Sequence, residues 1–229
     1  MRTIGLIGGM SWESTVTYYQ TINQVVKKQL GGLHSAQCIL YSVDFHEIEY
    51  CQSNNNWKKS ADILIQAALS LQKAGADFIV ICTNTMHKVV PDMLPYLNIP
   101  ILHIAEMTVK ALKNKNIKKV ALLGTCYTME QDFYKKVIID HGIDVLIPEK
   151  QDRRKINDII FKELCLGIIK SNSKKICLDI INKLCNLGIQ GVILGCTEIG
   201  LLIQQNDTMI PLFDTTLIHA QEAAIRSLK

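Results

Sequence analysis

The sequence lacks the patterns that mark many cofactor and metal sites. The glycines at positions 5, 8 and 9 do not form the GxGxxG pattern of dinucleotide-binding proteins. The eight cysteines include no CxxC pair and no Cys/His cluster with the spacing of zinc ligands. Several of them lie in apolar runs, so we expect reduced thiols in a cytoplasmic protein and no metal site.

Long apolar runs and a strong net charge are missing as well. No segment approaches the roughly 18 apolar residues that span a membrane, and the apolar run at residues 3–9 is too short for the core of a signal peptide. The net charge of +4 comes from scattered lysines and arginines, which are most often solvated helix ends. We therefore expect neither a membrane protein nor a nucleic-acid-binding protein.

The 229 residues instead show a regular alternation of two kinds of segment. Runs rich in Ile, Val and Leu alternate with amphipathic helical patterns, which indicates βα units and parallel sheets. The predicted strands are 3–8, 36–43, 77–82, 99–103, 119–124, 143–147, 190–195 and 210–213. The predicted helices are about 12–29, 57–74, 86–95, 104–115, 128–140, 153–171, 174–187 and 216–228.

One stretch occurs twice in register. Residues 71–85 read LQKAGADFIVICTNT and residues 184–198 read LCNLGIQGVILGCTE. Two further pairs align in the same order: IGLIGGM with VALLGTC, and IPIL with IPLF. We therefore predict an α/β protein of two pseudo-symmetric lobes, each a parallel sheet flanked by helices. The first lobe would comprise residues 1–103 plus 216–229, and the second residues 104–215.

Polar clusters follow several of the predicted strands. In open parallel sheets the ligand lies outside the carboxyl ends of the strands. Residues 8–11, 83–85, 124–128 and 196–198 all fall at such ends. Two lobes related by a pseudo-dyad would place these clusters around one interlobe cleft, with Thr83 and Cys196 on opposite walls.

Cys196 is the candidate reactive thiol. It stands between a predicted strand and the helical run at residues 199–202. A helix N-terminus lowers the pKa of a thiol, so we expect an accessible thiolate near neutral pH. The alternative is an ordinary buried structural cysteine.

The motifs GLIGGMSWEST, CTNTMH, LLGT..T and GCTEIGLL resemble those of the aspartate/glutamate racemase family over essentially the whole chain. The resemblance implies cofactor-independent racemisation of acidic amino acids, with no pyridoxal phosphate and no metal. In that family two cysteines, one in each lobe, act on opposite faces of the substrate Cα. Two-lobe enzymes of this size are commonly dimers, so we also expect a homodimer.

The sequence departs from this pattern in its first lobe. The family cysteine immediately precedes Asn-Thr, and here Thr83 holds that place. Cys82 is its neighbour, but adjacent side chains of a strand point to opposite faces, so Cys82 should face the interior. A local bulge that turns Cys82 toward the substrate is the alternative. The Thr/Cys pair resembles that of a branch of the family selective for L-aspartate and L-glutamate. We expect the site to be efficient in the direction in which Cys196 removes the proton and weak in the other direction.

The candidate substrate-binding residues have two origins. The resemblance implies Met10, Gln52, Thr83, Asn84, Thr85 and a lysine that best maps to Lys155. Helix starts supply backbone N–H groups for the α-carboxylate, which adds the segment from Thr125 to Thr128. Thr197 and Glu198 would orient the substrate ammonium or the thiolate, with helix capping as the competing role.

Several of these candidates also have an ordinary structural reading. Gln52 falls in a predicted polar loop, where surface exposure is common, and Lys155 falls near a predicted helix start, where lysines are usually solvated. His87 is a possible proton relay or a residue on a helix face. Other functions also remain open: decarboxylation of a malonate-type acid, isomerisation of maleate, or non-catalytic binding of an acidic metabolite.

Overall fold

A computed structural model describes residues 1–229, and the chain divides into two compact units. Unit 1 comprises Met1–Ile104 and His219–Lys229, and unit 2 comprises Ala105–Ile218. Each unit contains one four-stranded parallel sheet flanked by helices. The predicted α/β class with two similar lobes is therefore confirmed. None of the helices combines the length and the apolar character that a membrane crossing requires.

Unit 1 has the strand order β2-β1-β3-β4. Its strands are β1 (Ile4–Gly8), β2 (Cys38–Ser42), β3 (Phe78–Ile81) and β4 (Ile101–Leu102). The helices that precede β4 in the chain are α1 (Trp12–Leu30), α2 (Phe45–Ser53), α3 (Trp57–Lys73) and α4 (Val90–Met93). The two central strands are buried along their whole length, as near-continuous apolar strands of a parallel sheet should be.

Unit 2 repeats this order as β6-β5-β7-β8. Its strands are β5 (Lys119–Leu123), β6 (Asp144–Leu146), β7 (Gly191–Leu194) and β8 (Leu212–Asp214). The remaining helices are α5 (Ile104–Asn114), α6 (Cys126–Glu130), α7 (Asp132–Asp140), α8 (Lys150–Lys162), α9 (Ser171–Cys185), α10 (Ile199–Leu202) and α11 (Thr215–Ser227). The internal repeat of the sequence is thus a repeat of topology.

The helix α3 covers one face of the first sheet. Its apolar residues Leu64, Ala67, Ala68 and Leu71 are buried in one hydrophobic cluster with the sheet. They recur at the spacing of one helical face, and burying a leucine side chain of this kind contributes about 2 kcal/mol. This packing holds β1 and β3 in place, and both strands end at the polar clusters described below.

The structure corrects the predicted helices in four places. The helix predicted over 86–95 is a 3₁₀ turn, Thr85–Val89, followed by the short α4, because Pro91 and Pro95 cannot donate backbone hydrogen bonds. The helix predicted over 153–171 starts earlier and ends at Lys162. The helix predicted over 128–140 is interrupted at Gln131, whose backbone is extended. The helix α2 was not predicted at all.

Candidate active site

The second-unit cluster is built directly after β7. The Cys196 thiol donates to the Glu198 carboxylate, with Sγ and Oε2 separated by 2.9 Å. The Thr197 hydroxyl donates to the same oxygen, also at 2.9 Å. All three side chains are buried. One carboxylate oxygen therefore accepts two hydrogen bonds, one from a thiol and one from a hydroxyl group.

The pKa of Cys196 contradicts the expectation of an accessible thiolate near neutral pH. Burial raises it well above its ordinary value, and the neighbouring Glu198 carboxylate raises it further. The helix after the thiol, α10, has only four residues, so few aligned peptide dipoles oppose these two effects. The expected thiolate is therefore wrong for this structure. Cys196 is a protonated thiol with a carboxylate as its hydrogen-bond acceptor.

Two glycines set the position of this cluster. The amide of Gly195 donates to the Leu123 carbonyl at 2.6 Å. A Cβ atom on Gly195 would lie 2.9 Å from that same carbonyl oxygen, and one on Gly124 would lie 2.9 Å from the Gly195 carbonyl. The ends of β5 and β7 consequently approach more closely than side chains would permit, which fixes the peptide that precedes Cys196.

The segment after β5 is a capped helix start. The Thr125 hydroxyl accepts from the Thr128 amide at 3.3 Å, and the Cys126 amide donates to Asn157 Oδ1 at 2.9 Å. Thr128 is fully buried. Two of the amide groups predicted to bind the α-carboxylate are thus already engaged within the protein.

The first-unit cluster follows β3. Cys82 is fully buried, and burial strongly raises the pKa of its thiol. This burial agrees with the predicted interior position of Cys82, which lies directly after the end of β3. Asn84 and Thr85 are buried as well, whereas Thr83 between them and Cys82 is partly exposed.

Met10 and Gln52 lie deeper in unit 1 than their predicted role suggests. Gln52 is buried on α2, not in a polar loop, and its Nε2 lies 3.1 Å from the thioether sulfur of Met86. Met10 is buried in the same hydrophobic cluster as Met86. A helix-start signal was present for α2, since Asp44 caps it by accepting from the His46 amide.

Lys155 lies within α8, which begins at Lys150 and not at the predicted residue 153. Its ammonium group lies 2.9 Å from Oδ1 of the buried Asp152, whose Oδ2 lies 2.7 Å from Lys183 Nζ. The hydrogen bond from Lys183 chiefly lowers the pKa of Asp152, and Lys155 adds to this effect. Because the side chain of Lys155 is 52% exposed, its ammonium group remains accessible to solvent.

Two buried histidines in unit 1 form a polar network beside the first cluster. His87 lies 2.8 Å from the Thr83 carbonyl, and His219 lies 2.8 Å from the Tyr18 hydroxyl. His219 carried no signal in the sequence, because it lies inside an apolar stretch far from Tyr18 along the chain. His87 was visible only as the last residue of the CTNTMH motif.

Two α/β units, each with one parallel sheet, and a buried Cys196–Glu198 pair after the third strand of unit 2 define the fold and the candidate site of this chain. The chain belongs to the Asp/Glu/hydantoin racemase family, whose model matches residues 7–223. It is an isomerase that racemises amino acids.

Solved structures and a curated relative agree with this assignment. The chain is 54% identical to a candidate Asp/Glu racemase of Yersinia pestis, with a TM-score of 0.92 and 100% of both chains covered. It is 34% identical to an aspartate racemase homologue of Pyrococcus horikoshii, with a TM-score of 0.87 and the same coverage. It is 29% identical over 146 residues to the broad specificity amino-acid racemase RacX of Bacillus subtilis, which covers 62% of this chain and 63% of that protein. This match therefore spans less than two thirds of the curated relative.

Proposed function

We propose that the protein racemises aspartate or glutamate without a cofactor, by removing and returning the Cα proton. The buried Cys196–Glu198 hydrogen bond of 2.9 Å carries the proposal. A thiol with a high pKa removes a carbon-bound proton only if another group first takes its own proton. Glu198 already accepts that proton in a hydrogen bond.

The proposed sequence of proton transfers begins at this pair. Glu198 takes the Cys196 proton as the positively charged substrate ammonium enters, and the thiolate then removes the Cα proton. The resulting carbanion takes a proton from the Thr83 hydroxyl on the opposite face. Solvent then restores that hydroxyl, and Glu198 releases its extra proton to solvent, which returns the site to its starting state. Thr83 is suited to this role because it is the partly exposed member of its cluster.

An acidic substrate is supported by charge and by similarity. Lys155 offers a half-exposed ammonium group for the side-chain carboxylate, and Asp152 keeps Lys183 as a partner if Lys155 turns away. The similar protein of Pyrococcus horikoshii is described as an aspartate racemase homologue. A neutral substrate would offer no carboxylate to Lys155, which would keep Asp152 as its partner.

The asymmetry of the Thr83/Cys196 pair has a thermodynamic limit. Two enantiomers have equal free energies in water, so kcat/KM must be equal in the two directions. A weak reverse direction can therefore not appear in kcat/KM. It appears instead in solvent exchange, because a thiolate deprotonates the L form. The D form must be deprotonated by the alkoxide of Thr83, a far stronger base that is rarely formed near neutral pH.

The test is proton NMR of Cα exchange in deuterated water, started from each enantiomer of aspartate and glutamate. The L form should gain deuterium before it inverts, because the proton on Cys196 mixes with an exchangeable one on Glu198. With the D form, deuterium should enter only as inversion proceeds. Absence of exchange and inversion for every acidic amino acid would overturn the proposal, and carbon dioxide release from a malonate-type acid would replace it with decarboxylation.

Replacement of Glu198 by glutamine should lower kcat about 10²-fold or more, because the amide cannot accept the thiol proton. Binding of the substrate should change far less, so KM should remain within a few-fold. Thr197→Val is the matched control, since it removes the other donor to the same oxygen and leaves the thiol–carboxylate contact intact. Equal losses in the two variants would show that Glu198 acts only in packing.

A broader substrate range is the second candidate, and the Bacillus subtilis relative favours it because it is described as a broad specificity amino-acid racemase. Inversion assays with neutral and basic amino acids separate the two ranges. Lys155→Met should abolish any preference for acidic substrates and leave inversion of neutral ones unchanged.

A further inference from the structure

We infer that His87 is the positioning residue for Thr83. The inference rests on the proposed role of Thr83 in reprotonating the substrate. Each nitrogen of the His87 imidazole ring has a backbone partner. Nδ1 lies 2.8 Å from the Thr83 carbonyl oxygen, and Nε2 lies 3.2 Å from the Ile104 amide nitrogen.

These two partners define the protonation of the ring. The Ile104 amide can only donate, so Nε2 must be the unprotonated acceptor. The proton therefore sits on Nδ1 and is donated to the Thr83 carbonyl. With both ring nitrogens engaged by the backbone and the residue buried, His87 holds no nitrogen for relaying protons to a substrate.

The Thr83 peptide depends on this bond because it lies outside regular structure. Thr83 lies two residues after the end of β3 and two residues before the 3₁₀ turn, in a bend where no strand partner holds its carbonyl. Rotation of that peptide would move the Thr83 hydroxyl. The bond from Nδ1 therefore restricts the one side chain proposed to protonate the carbanion.

A second histidine packs against the ring of His87. His219 Nε2 lies 2.8 Å from the Leu102 carbonyl, which can only accept, so Nδ1 accepts from the Tyr18 hydroxyl at 2.8 Å. The ring centroids of His87 and His219 are 5.7 Å apart, and those of His87 and His103 are 4.7 Å apart. The segment from Leu102 to Ile104 is thus hydrogen-bonded to both histidines, to His219 at Leu102 and to His87 at Ile104.

His87 has a competing structural role at the start of α5. The Ile104 amide is the first of that helix, where N–H groups have no partner within the helix. Accepting from it caps α5. The two roles use different nitrogens, so two substitutions separate them.

His87→Asn places an amide nitrogen near the position of Nδ1 and retains the bond to Thr83. His87→Gln places an amide oxygen near the position of Nε2 and retains only the bond to Ile104. If His87 positions Thr83, inversion should slow at least about tenfold in the glutamine variant and less than about threefold in the asparagine variant. The wash-in of deuterium into the L substrate, which in the proposed sequence needs Cys196 and Glu198 but not Thr83, should be unchanged in both.

Equal loss of wash-in and inversion in the two variants would overturn the inference, and so would an unchanged inversion rate in His87→Gln. Absence of any wash-in in the unmodified protein would instead overturn the proposed function. Nitrogen-15 NMR of the unmodified protein gives a test that requires no variant to fold. It should show a protonated Nδ1 and an unprotonated Nε2 at His87, and the opposite tautomer would contradict the inference.

Discussion

Replacement of Cys196 by alanine should lower the rate of Cα exchange from L-aspartate or L-glutamate by about 10³-fold or more. The alanine variant has no group that can take the Cα proton on that face. The fold should survive, because the change removes a single buried sulfur atom next to a close-packed strand end. The measurement is deuterium wash-in by NMR, with thermal unfolding as the check on folding.

The matched control is Cys82→Ala. Cys82 is fully buried, with its sulfur 3.9 Å from the carbonyl of Val80, so removal should cost about 1 kcal/mol of stability and leave exchange within a few-fold. Full exchange in Cys196→Ala together with lost exchange in Cys82→Ala would reverse the assignment. That result would place the reactive thiol in the other unit.

The second large effect is a loss of stability in acid. Burial lowers the pKa of His219 to about 3, and burial followed by the neighbouring His103 and His219 lowers the pKa of His87 well below its ordinary value. Both pKa values are depressed on folding. Above pH 6.5 both histidines are neutral in the folded and in the unfolded protein, so no stability is lost. Below pH 6.5 the histidines of the unfolded chain take up protons that those of the folded protein do not, so the free energy of unfolding falls.

At pH 5 His219 should therefore cost about 2 kcal/mol, and His87 should add a loss of the same sign. The loss should continue until the pH reaches the folded pKa. Urea unfolding at pH 7.5 and pH 5 measures it. His219→Gln is the matched variant, because its amide nitrogen can still donate to the Leu102 carbonyl. Its stability should fall by about 2 kcal/mol less between the two pH values, and an unchanged fall would show that His219 does not titrate as described.

Local signals were sufficient for the strands. The apolar runs that became β1, β3, β5 and β7 were recognisable because parallel strands are buried on both faces and need no partner to look apolar. The alternation of side chains along a strand was enough to predict a buried Cys82, since this alternation depends only on neighbouring residues.

Local signals misled where a tertiary partner decided the outcome. Gln52 looked like a surface loop residue, but packing of α2 against α3 buries it beside Met86. Cys196 looked like a thiolate at a helix start, but the helix is one turn long and burial with Glu198 keeps the proton on sulfur. Lys155 has the solvent exposure expected of a lysine near a helix start, but its pairing with Asp152 was not predicted.

The sequence by itself determined the repeat, the class of fold and the presence of Cys196 and Thr83 at equivalent strand ends, because periodicity and spacing are properties of neighbouring residues. Only the tertiary structure decided the charge state of Cys196 and the network of His87, His219 and Tyr18. Burial and hydrogen-bond geometry depend on residues far apart along the chain, and those two quantities set every pKa and every tautomer in the site.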